Sequence, residues 1–132
     1  MISPANEKIA SERKTRRVLY VDDMRELRDV ARLALSRSGH AVNCATNGYE
    51  AFEMVKAEPA GYDIVITDHH MGGMNGLELV MKLHELKFPG MIAIVSSEIN
   101  TEVADEYRRL GVERILYKPV ELSDLRALVL ES

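Results

Sequence analysis

Short apolar and β-branched runs alternate along this chain with longer stretches in which apolar side chains return every three or four positions. The first pattern is that of strands buried on both faces, and the second is that of helices covering them. The runs fall at residues 18–21, 41–45, 62–67, 91–95 and 114–117. Leu27, Val30, Ala31 and Ala34 form the apolar stripe of a first helix that stops at Gly39. Ala51, Phe52 and Val55 mark a second helix ending before Pro59, and Leu79, Val80, Leu83 and Leu86 mark a third, with Asn75 and Glu78 spaced as a capping box at its start. Val103, Tyr107 and Leu110 give a fourth helix closed by Gly111, and Leu122, Leu125, Leu128 and Val129 give a fifth. Five strand–helix rounds without internal repeats predict a (βα)5 chain. Right-handed crossovers and burial of both sheet faces then favour an α/β doubly wound parallel five-stranded sheet in a three-layer sandwich.

Composition narrows this picture. At 132 residues the chain suits one folding unit, and 46% apolar with 29% charged residues is ordinary for a globular core. No apolar stretch approaches the roughly 18 residues of a membrane span, and the N-terminal segment lacks a secretory signal's hydrophobic centre, so a cytoplasmic protein is expected. Cys44 is the sole cysteine, which excludes an internal disulfide and a multi-thiolate metal site and leaves it as a small apolar residue. The net charge of −4 is uneven. Residues 1–17 carry five basic groups against two acidic, net +3, leaving −7 for the remainder. Residues 1–15 read as a flexible basic leader before a domain at 16–132, and the acidic domain argues against direct nucleic-acid binding.

In sheets of this class ligands collect outside the carboxyl ends of the strands, so those positions carry the chemistry. The first strand runs into Asp22 and Asp23, the third into Asp68, the fourth into Ser96 and Ser97, and the fifth into Lys118 and Pro119. Any one of these alone reads as a turn or helix cap. Together they put three carboxylates at one edge, and crowded carboxylates need a cation to stay ionised. An all-oxygen set suits Mg²⁺, and with Lys118 and a hydroxyl it forms a receptor for a phosphoryl group. His69 and His70 invite a zinc reading, but adjacent histidines point apart and no second ligand cluster has suitable spacing, so they read as surface or loop residues. Met54, Met71, Met74 and Met81 read as core filler and loop packing.

The segments Val18-Leu19-Tyr20-Val21-Asp22-Asp23, Asp63-Ile64-Val65-Ile66-Thr67-Asp68, Ile94-Val95-Ser96-Ser97 and Tyr117-Lys118-Pro119 resemble the receiver domain of two-component response regulators, and the resemblance covers residues 16–131. It implies a flavodoxin-like strand order 2-1-3-4-5 and a role in signalling rather than turnover. By the same resemblance Asp68 is the phosphoacceptor, and Asp22, Asp23, Asp68 and the backbone carbonyl of His70 hold Mg²⁺. Ser96 contacts the phosphoryl group, Lys118 pairs with it, and the Lys118–Pro119 bond is cis. The implied donor is a sensor histidine kinase or histidine phosphotransfer protein. Output is expected through the fourth helix, fifth strand and fifth helix to a downstream protein, from a monomer or weak dimer.

Some positions depart from the family pattern. Gly72 stands where proline is usual, which implies a more mobile loop. Ser97 replaces Ala or Gly, narrowing access, while His70 and Glu98 occupy rate-tuning positions. Ile115 lies at the switch position that many receivers fill with an aromatic residue, so a ring flip there is not expected. Tyr117 reads as an edge-packing side chain. Two other functional readings compete with the receiver. A Mg²⁺-dependent phosphohydrolase with Asp68 as nucleophile would want an acid where His70 stands. A never-phosphorylated interaction module has no use for Asp68, Lys118 and the acidic pair.

Overall fold

A computed structural model describes residues 15–132, so the leader assigned to 1–15 lies almost wholly outside the described residues. Five strands, β1 (Arg17–Val21), β2 (Ala41–Ala45), β3 (Ile64–Thr67), β4 (Met91–Ser96) and β5 (Arg114–Tyr117), form one parallel sheet in the order 2-1-3-4-5. They alternate with α1 (Arg25–Arg37), α2 (Gly48–Ala57), α3 (Gly76–Glu85), α4 (Thr101–Arg109) and α5 (Leu122–Glu131). This is the doubly wound sandwich with the expected strand order. No described helix is long and apolar enough to cross a membrane.

Alternation along each central strand sorts the core into two layers. Val18, Tyr20, Ile64, Ile66, Ala93 and Val95 face α1 and α5, where Ala31, Leu35, Leu125, Leu128 and Val129 meet them. Leu19, Val21 and Val65 face α2 and α3 through Ala51, Val55, Leu79 and Leu83. A third cluster, Val80, Ile94, Tyr107 and Val112, seats α4, with Ile115 half-buried against it. Asn47, Asn75 and Asn100 cap α2, α3 and α4 by accepting from the N–H three residues on, and Asn75 with Glu78 completes the anticipated capping box.

Three local expectations are corrected. The stripe of α1 is rotated: Ala31, Ala34 and Leu35 are buried, whereas Val30 is 49% exposed. Small alanines let α1 approach the sheet, and Val30 is left lining a cleft of about 400 Å³ with Leu27, Pro119, Leu122 and Leu125. Met71 and Met74 are buried as read, but Met81 points to solvent from α3. β3 begins at Ile64, not residue 62, although the Tyr62 ring is buried and its hydroxyl accepts from Asn43 Nδ2 at 2.8 Å.

Candidate functional site

Registered parallel strands bring their carboxyl ends to one edge. Val21 lies beside Thr67, Thr67 beside Ile94, and Ser96 beside Tyr117, so the residues that follow converge. Carboxylate oxygens of Asp22, Asp23 and Asp68 fall within 4.8 Å of one another. Lys118 Nζ donates to Asp22 Oδ2 at 3.1 Å and to Asp68 Oδ2 at 3.2 Å, closing the cluster from the end of β5. Lys118 is fixed in turn by its own N–H, which donates to the Ser96 carbonyl at 2.9 Å, and its bond to Pro119 is cis as the resemblance implied.

The two buried acids differ in how they are held. Asp22 accepts from the Met24 N–H at 2.9 Å through Oδ1, and its carbonyl accepts from Arg28 Nη1 at 2.8 Å. Among the described residues Asp68 Oδ1 has only the His70 N–H at 3.3 Å, while Thr67 Oγ1 donates to the Asp68 carbonyl at 2.9 Å. Asp23 is exposed. Burial pushes the Asp22 carboxyl above its ordinary value even though the Met24 N–H and Lys118 favour its charged form. Burial also acts to lower Lys118, but the Asp22 hydrogen bond and the charges of Asp22 and Asp68 outweigh it, so the ammonium is held more firmly than usual.

With the carboxylates ionised, one ammonium against three acids leaves two negative charges unmatched. Oxygen-only donors at this spacing with a surplus of that size fit a hard divalent cation such as Mg²⁺. Ser96 stands at the end of β4 with its hydroxyl wholly buried and without a partner among the described residues. An orphaned donor costs stability, so its presence beside Lys118 is an opening for an incoming acceptor oxygen.

The remaining expectations divide. Ser97 and Glu98 are exposed at the mouth, and the Glu98 carbonyl lies 2.6 Å from His70 Nε2. Tyr117, read as edge packing, is 51% exposed. Both histidines lie in the loop after β3, but only His70 is exposed; His69 is buried, with Nδ1 2.6 Å from Tyr107 Oη. Burial, reinforced by the neighbouring His70, makes the His69 ring harder to protonate than usual. Sequence reasoning missed Thr67, Met24 and Arg28, whose bonds to the acids come from backbone geometry and a six-residue reach that no local pattern signals. Tyr107 was seen only as a core residue; its hydroxyl, carried on one of the two buried residues of α4, was the available clue.

The family model of the response regulator receiver domain matches residues 18–130. The sensory/regulatory protein RpfC of Xanthomonas campestris is 30% identical over 116 residues, covering 85% of this chain and 16% of that protein. The transcriptional regulatory protein TctD of Salmonella typhimurium is 34% identical over 113 residues, 84% of this chain and 49% of its own length. The chain thus spans less than two thirds of these curated relatives. A crystal structure of a response regulator receiver protein from Pseudomonas putida superimposes with a TM-score of 0.81 at 29% identity, over 90% of this chain and 98% of that one.

Proposed function

The chain belongs to the response regulator receiver domain family, and from that premise we propose that it is a phosphoacceptor switch in which Asp68 takes a phosphoryl group from a phosphohistidine donor. The observation that carries this reading is the single ammonium of Lys118 shared between Asp22 and Asp68 inside a three-carboxylate cluster. Asp22, Asp23 and Asp68, with the backbone carbonyl of His70, would hold Mg²⁺, which when bound offsets the crowded negative charge and that of a phosphoryl group.

Asp68 supplies the nucleophile. A carboxylate oxygen attacks phosphorus, the phosphorus–nitrogen bond to the donor histidine breaks, and the imidazole keeps that electron pair and takes up a proton. Lys118 need only exchange its bond to Asp68 Oδ2 for one to a phosphoryl oxygen, and the buried Ser96 hydroxyl gains the acceptor it lacks. A role as a signalling switch rather than in turnover belongs to the same reading, supported by membership of a receiver family. The donor is a sensor histidine kinase or histidine phosphotransfer protein, and the response is delivered through α4, β5 and α5 to a downstream protein. The domain at 16–132, its cytoplasmic location and its state as monomer or weak dimer belong to the same reading.

The test is intact-mass analysis after incubation with Mg²⁺ and a phosphorylated histidine phosphotransfer domain. Wild type gains one hydroxylamine-labile phosphoryl group and Asp68→Asn gains none; retained labelling in the variant overturns the assignment.

A further inference from the structure

His69 directly follows the acceptor, and Tyr107 stands on the buried face of α4. Their Nδ1 and Oη atoms lie 2.6 Å apart, and their rings meet edge to face at 5.6 Å between centroids. Neither side chain has another hydrogen-bond partner among the described residues. Tyr107 is fully buried among Val80, Ile94 and Val112, so its ring cannot shift without moving the seat of α4. Its tip also faces the space beside Gly76 that the acceptor's backbone borders. A β-carbon placed on Gly76 would fall 2.5 Å from the Asp68 carbonyl oxygen, 2.7 Å from Tyr107 Oη and 2.9 Å from His69 Cα, which shows how closely these groups gather at one point.

We propose that the His69–Tyr107 pair is the mechanical link that carries the state of Asp68 to α4, with Tyr107 as a positioning residue acting through His69. This rests on the phosphoacceptor reading and deepens it. Two buried polar groups with only each other to bond would both be orphaned by separation, so the pair moves as a unit rather than parting. Movement of the acceptor loop is then handed to the phenol, and from its ring to the helix whose outer face shows Glu106, Arg108 and Arg109 to solvent. Ile115 touches the same apolar cluster but has no polar atom with which to join the loop.

Amide spectra of the full chain, titrated with beryllofluoride and Mg²⁺, test the link. In wild type, amides of residues 68–71 and 101–109 shift together. In Tyr107→Phe, which keeps the ring and loses the hydroxyl, the 68–71 shifts persist and affinity stays within about fivefold, while the 101–109 shifts fall below about half. Full-sized α4 shifts in that variant overturn the link, and so does an affinity change beyond about fivefold, which would make the bond a brake or a part of the binding site. His69→Phe removes the same bond from the loop side and is expected to show the same selective loss at 101–109, so it carries the test even if Tyr107→Phe does not fold. A wild-type chain that shows no beryllofluoride-dependent shift overturns the phosphoacceptor reading beneath it.

Discussion

β3 and β5 are both four residues long, yet every residue of β3 is buried and none of β5 is. β3 lies in the middle of the sheet between β1 and β4, under helices on both faces, whereas β5 is an edge strand paired only with β4. The candidate acceptor leaves the end of the first and Lys118 the end of the second. The proposed nucleophile is thus mounted where displacement would cost core packing, while the counter-charge comes from a strand with less to lose by shifting. The proposed switch, which must hold its chemistry still and yet report a change of charge, is served by that division.

The comparison is sharpened most by matched truncations. Ile66→Ala in β3 removes a wholly buried side chain and is expected to cost about 3–4 kcal/mol, whereas Leu116→Ala in half-buried β5 costs about 1–2 kcal/mol, both read by urea unfolding. Equal costs would break the contrast. Next comes the acidic pair that follows β1. Asp23 has no ammonium partner among the described residues, so Asp23→Asn should weaken Mg²⁺ binding about tenfold while raising the metal-free melting temperature by about 1–3 °C through relief of repulsion. Calorimetry with and without the ion checks both signs, and a lower metal-free melting temperature would mean that this carboxylate is structurally satisfied. The smallest effect is on pH dependence. Because the Lys118 ammonium is held above its usual 10.5, its stabilisation is complete below that pH and is lost as pH rises through the raised value. From neutral pH upward, the gap in metal-free melting temperature between wild type and Lys118→Met should therefore narrow only in the alkaline range; narrowing near neutral pH would contradict the two bonds to Asp22 and Asp68.

The strands were legible because a sheet buried on both faces leaves unbroken apolar runs, and β5 occupies the predicted residues 114–117. The acids, Ser96 and Lys118 were legible because each directly follows or closes such a run. Helix faces were read less well. Leu35 was passed over for Val30, since spacing alone does not reveal which side of α1 the alanines let closest to the sheet. The His69–Tyr107 bond was out of reach, because it joins residues 38 positions apart whose meeting depends on how α4 is rolled against β4. Pattern reports which element a residue is in; the roll of one element on another is settled by packing, which the pattern does not encode.

Gly76 shows what that packing demands of a residue that supplies no side chain. It starts α3 beside the candidate acceptor, where the Asp68 carbonyl, the phenol of Tyr107 and the His69 backbone already fill the space a methyl group would need. Its own N–H meanwhile donates to the His69 carbonyl at 3.0 Å, closing the loop. The vacancy itself is therefore the functional part. A repertoire of variants would be restricted at this position as tightly as at a charged one, although the letter found there advertises no chemistry at all.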